Sequence, residues 1–130
     1  MANPNIVSVS SIKGESLGYN LTSTTTTTLL TVSAEKVLKV NRITVANVDT
    51  SSAATFNLSI VKANFTPDGV ANFDASGTFF LAKTISVPAD ATLVVLDTPI
   101  YLMEGDVLKG GASAASDLDL VISYESIDDA

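Results

Sequence analysis

"DLDLVISYES", residues 117–126, alternates: Leu118, Leu120, Ile122 and Tyr124 fall on one side, and Asp119, Val121, Ser123 and Glu125 on the other. A period of two is the signature of a strand with one face in a core and one in water. "TFNLSIVK", residues 55–62, repeats it, with Phe56, Leu58 and Ile60 set against Asn57 and Ser59. These two stretches decide the fold class, because no segment shows a sustained 3.6-residue apolar repeat with caps and no long helix is expected.

Working outward, further strands are expected at "NIVSVSSI", "SLGYNL" (pairing nearby), "VLKVNRITVANV", "TFFLAKTISV", "TLVVL" and "PIYLM". In "VLKVNRITVANV", Leu38 and Val40 share one parity and Ile43 and Val45 the other, so a bulge is predicted at Asn41-Arg42. "TSTTTTTLLTV", residues 22–32, reads as a strand with a hydroxyl-rich face, because threonine is β-branched and favours extended backbone. "TLVVL" is apolar at both parities, as a central strand covered on both faces would be. Turns are expected at Ser33–Lys36, Pro88–Asp90 and Asp97–Pro99. Gly110, Gly111 and Ser113 to Ser116 form a weak stretch. The longest loop is predicted over residues 64–77, and Phe65, Phe73, Phe79 and Phe80 around it are expected to plug the core. Flexibility is expected there, in the first few residues and in the terminal "IDDA". About eight or nine short strands with turns every 8 to 12 residues indicate one antiparallel β-sandwich, jelly-roll-like or immunoglobulin-like, spanning residues 1–130.

Composition narrows the chemistry. The chain has no cysteine and no histidine, which removes thiol nucleophiles, disulfides, zinc-thiolate sites and the commonest general base. The reading is therefore non-enzymatic, with no catalytic, cofactor-binding or metal residues and no cofactor. No apolar run reaches a membrane span, and the N-terminus shows no secretory signal. The net charge of −7 makes direct nucleic-acid binding unfavourable. That charge divides along the chain, +2 up to Ala63 and −9 from Asn64 onward, where only Lys83 and Lys109 oppose eleven acids. The plain reading is solubility; the sharper one is that the less acidic half faces an acidic partner.

The one stretch resembling an active site is Glu104-Gly105-Asp106, between "PIYLM" and "VLKG". "DVLKGGASAASD" lacks the alternating oxygen ligands of a calcium loop. A glycosidase groove would want aromatic platforms, but tryptophan is absent. A hairpin turn fits better, with Gly105 at positive φ and its polar neighbours in water. Asp68-Gly69 is turn chemistry too, and Asp117 and Asp119 are expected to be solvent-facing neighbours on the last strand, with Asp74 in the long loop.

The segment from Val87 to Ala89 and Thr92 to Leu96, followed by Pro99 to Leu102, Glu104 to Asp106 and Ser116 to Glu125, resembles a recurring C-terminal pattern. It is found in small virion proteins of tailed phages, especially contractile-tailed phages of marine cyanobacteria. The opening "MANPNIVSVSSIKG" resembles the starts of such proteins. The resemblance implies a non-enzymatic structural component of a virion and carries over no functional residues. A decoration protein on the capsid exterior is the favoured form, binding the major capsid protein or other virion proteins as a homo-oligomer, a trimer by preference. A tail, neck or baseplate component is the alternative, and a host-glycan recognition module acting through its loops is the second.

Overall fold

The computed structural model describes residues 8–128, and the expectations for residues 1–7 and 129–130 lie outside them. The described residues form nine strands: β1 (Ser11–Asn20), β2 (Thr27–Thr31), β3 (Lys36–Asn47), β4 (Ala54–Lys62), β5 (Gly77–Val87), β6 (Thr92–Leu96), β7 (Ile100–Leu102), β8 (Val107–Ala112) and β9 (Leu118–Asp128). One sheet runs β1-β9-β3-β6, with β7 also on β3, and the other runs β2-β8-β4-β5. Every pairing is antiparallel. The chain is an all-β sandwich, as the alternation predicted.

Its winding is that of a jelly roll. Ser11 pairs with Asp128, Thr28 with Lys109, Leu38 with Leu102 and Ala54 with Val87. The chain is thus doubled back on itself about the 63–76 loop as one long antiparallel ribbon, then rolled so that successive turns fall in opposite sheets. An immunoglobulin sandwich sets its first strand beside its second; here β1 lies beside β9.

The alternating residues meet between the sheets. Phe56, Leu58, Leu118, Leu120 and Ile122 are fully buried, with Tyr124 nearly so, while Val121 faces water. Burial, and next the charge of Glu15 and the neighbouring Tyr19, push the Tyr124 phenol above its usual range. The bulge in β3 falls where predicted, between Val40 and Arg42 in the register against β9. It returns Val40, Ile43 and Val45 to the same buried side. Replacing Leu120 by Ala should cost about 2–5 kcal/mol in chemical denaturation; a loss below ~0.5 kcal/mol, the surface range, would contradict this core.

Several expectations are corrected. "SLGYNL" is no separate strand pairing nearby: β1 is continuous from Ser11 and its partner is the far end of the chain. The threonine tract is only half strand, because residues 22–26 turn over the sheet edge, where Thr27 Oγ1 donates to Thr24 O at 2.9 Å. Gly110 and Gly111 are no break but the buried end of β8. "TLVVL" is an edge strand, not a central one. A bulge against Ile43 and Thr44 lets Leu93 and Leu96 both face inward, opposite Val45 and Ile43, while Val94 is 41% exposed. Of "IDDA", Ile127 is buried and Asp128 pairs with Lys36 at 3.3 Å. Phe73, Phe79 and Phe80 do not plug the core; all three are exposed, and Phe65 is half-buried.

The fold also re-sorts the charge. In both sheets, strands from the first half alternate with strands from the second, so the +2 and −9 halves do not become two faces.

Candidate functional site

Glu104-Gly105-Asp106 is a turn. Asp106 N donates to Met103 O at 2.9 Å, closing four residues around Gly105 at φ 85°, the left-handed conformation that glycine adopts freely. This turn docks against the one joining β2 to β3. Gly105 N donates to Val32 O at 3.1 Å and Val32 N to Asp106 O at 3.0 Å. Glu104 Oε2 accepts the Glu35 N–H at 2.9 Å, and Glu35 itself sits at φ 62°.

The expectation that both acids stand in water is wrong for Asp106. Its side chain is 1% exposed. Oδ1 accepts Ala63 N–H at 3.0 Å, and Oδ2 accepts Met103 N–H at 2.8 Å together with the Lys62 ammonium. A carboxylate can be buried at tolerable cost only when paired and hydrogen-bonded; here one ammonium and two amides meet that condition. The carboxylate ties the end of β4 to the start of β8. Glu104 is half-buried and accepts one amide, so Glu104→Gln, which keeps an acceptor oxygen, should shift stability by no more than ~0.5 kcal/mol in urea titrations.

The other acids are dispersed. Asp68-Gly69 is a turn with Gly69 at φ 77° and Val70 N donating to Pro67 O at 3.1 Å. Asp74 Oδ1 accepts Ser76 N–H at 2.9 Å, and Asp49 Oδ1 accepts from Ser51 N, Ser51 Oγ and Ser52 N. Those bonds, from Ser51 first for Asp49 and from Ser76 for Asp74, hold both carboxyls below the usual carboxylate range. The stability they lend is present above that range and is lost as pH falls through the lowered values. Asp119 accepts from Asn20 Nδ2 at 2.7 Å, while Asp117 precedes β9 instead of lying on it. Among the described residues no group of three or more acids is placed to hold a metal ion, and no buried side-chain polar atom lacks a partner.

Two features escaped the sequence reading. Asn47 is buried: Nδ2 donates to Ser52 O and Val87 O, both at 2.9 Å, and Oδ1 accepts Asp49 N–H at 2.9 Å. It ties the end of β3 to the end of β5, a partnership across 40 positions with no local signal. The second is a groove of about 350 Å³ on the outer face of the four-stranded sheet, which brings Lys83 and Lys109 together. Their being the two cations of the acidic half was the available clue. Lys109 is opposite Ser59, and Ser59 opposite Phe80, in one row across β8, β4 and β5. Lys83 Nζ lies 5.2 Å from the centre of the Phe80 ring.

No protein-family model matches the chain, and no curated protein does. Among solved structures, a chain from the work titled "Bacillus endospore appendages form a novel family of disulfide-linked pili" aligns over 92% of this chain and 88% of its own, at 12% identity and a TM-score of 0.44.

Proposed function

We propose that this protein is a non-enzymatic structural subunit of a phage particle, a decoration protein bound in many copies to the outside of the capsid. The observation that carries the reading is the lateral side of the sandwich at β5. Phe79 and Ile85 stand opposite the core residues Ile60 and Phe56, on the inward side of the sheet, yet they are 55% and 40% exposed. The four-stranded sheet overhangs its partner there, leaving aromatic and aliphatic surface that a subunit contact would cover. The edge itself is blunted, since register shifts against Phe56, Leu58 and Ser59 mark two bulges in β5, and bulged edges resist strand addition. Contact is thus made by side-chain packing, and the closed trimer on a local threefold axis that goes with the decoration role would use this surface. The phage setting is supported by the resemblance of the C-terminal third to small virion proteins.

Because the two charge halves interleave, attachment is expected to rest on apolar burial and not on the charge split. Purified protein titrated onto stripped capsids should bind in hundreds of copies per particle. Binding should persist from low salt to ~1 M, where screening shortens to about 3 Å. Phe79→Glu with Ile85→Glu should abolish it. Binding confined to tails would move the protein to a tail, neck or baseplate position, and no binding to capsids would reject decoration.

A further inference from the structure

We infer that the groove on the outer face of the four-stranded sheet binds an acidic saccharide, a sugar bearing carboxylate or sulfate groups. Asn57, Ser59, Thr78, Phe80, Lys83 and Lys109 line it, with no aspartate or glutamate. Neither lysine forms an ion pair with any described residue, whereas Lys36 and Lys62 each hold an aspartate. In a chain of net charge −7, two unpaired ammoniums on one acid-free groove make a local positive potential with no internal counter-charge. The groove therefore selects an anion.

The lining selects a sugar among anions. Outside the lysines it is mostly hydroxyl and amide groups with one accessible ring, Phe80, which is 53% exposed. That is the mixture of an apolar platform and placed polar groups that fixes a small polar ligand. The bulge in β5 builds it. Asn57 opposes the extra residues of β5, and its Oδ1 accepts the Thr84 N–H at 2.9 Å, with Thr84 at φ 52°. This leaves the Asn57 amide hydrogens as donors and sets Lys83 beside the Phe80 ring. An extended peptide would instead add to a free edge, and the bulges of β5 obstruct that mode. Nucleic acid is disfavoured by the overall charge. The site lies on the outer face of β5, while Phe79 and Ile85 stand on its inward side, so sugar binding by the isolated chain is tested separately from the capsid reading.

The test is calorimetric titration of the full chain with a trimer of galacturonic acid, a sulfated disaccharide and a neutral galactose trimer. Both acidic sugars should bind, and the neutral one at least about tenfold more weakly. Lys83→Gln and Lys109→Gln should each weaken binding about fivefold, with unchanged melting temperature, and together by roughly twentyfold or more. Equal binding of neutral and acidic sugars, no binding of either acidic sugar, or full affinity in the double variant would overturn the inference. A glutamate hexapeptide binding as tightly as the uronate would also overturn it and reassign the groove to an acidic protein segment.

Discussion

Replacing Asp106 by Ala will destabilise the domain by about 3–5 kcal/mol, the usual consequence of breaking a buried ion pair from one side. Three donors lose their acceptor at once: the Lys62 ammonium and the amides of Ala63 and Met103. Asp106→Asn should cost less, since one carbonyl oxygen survives to meet one amide. Lys62→Met leaves the buried carboxylate with its two amides but no counter-charge, so its cost should also reach about 3–5 kcal/mol. Urea denaturation of the two Asp106 variants beside the wild type checks the order Ala, then Asn, then wild type, and the same titration of Lys62→Met gives the cost of losing the cation. A loss below ~1 kcal/mol for Asp106→Ala would mean that water replaces the lost partners and that the carboxylate is not an anchor.

Gly111→Ala should be comparably damaging, for a different reason. A Cβ at Gly111 would sit 2.2 Å from Thr24 O and 2.8 Å from Thr25 Cα, and one at Gly110 would sit 2.4 Å from Asn57 O. Neither glycine has a positive φ, so the need is for space alone. The obstacle is backbone, which cannot rotate away as a side-chain tip can. The 22–26 segment is held over β8 by Ala112 N donating to Thr22 O at 2.8 Å, so a methyl group must push that segment off or shift β8. A cost of about 3 kcal/mol is expected, at the upper end for overpacking. Gly14→Ala is the control: nothing lies within 4 Å of its Cβ position, so it should be neutral or slightly stabilising, since glycine weakens a strand interior. Equal melting temperatures for the two variants would contradict the close approach.

These two sites mark the boundary between what could be read locally and what could not. Period-two alternation reports that one face of a segment is buried, so the strands at Phe56–Ile60 and Leu118–Tyr124 and the bulge at Asn41 were legible. Turn chemistry is local as well, and Gly105 took the positive φ its neighbours implied. The sequence by itself therefore determined the all-β class, the core face of the clearest strands and most of the turns.

Tertiary structure alone decided pairing order, edges and long-range partners. Alternation says nothing about which strand lies alongside, so β1 meeting β9 and the choice of jelly roll over immunoglobulin winding came only with the rolled ribbon. An apolar run at both parities arises from double coverage or from a bulge; "TLVVL" looked central and is an edge. Four phenylalanines near a loop gave no sign that the four-stranded sheet would overhang its partner and leave Phe79 in water. Asp106 beside a glycine has the composition of a solvated turn, and its burial depends on Lys62, 44 positions away. Charge written along the chain as two unequal halves was interleaved by alternating strands. The common physical reason is that side-chain periodicity and turn propensity are set by near neighbours, whereas burial and ion pairing are set by whatever the fold brings alongside.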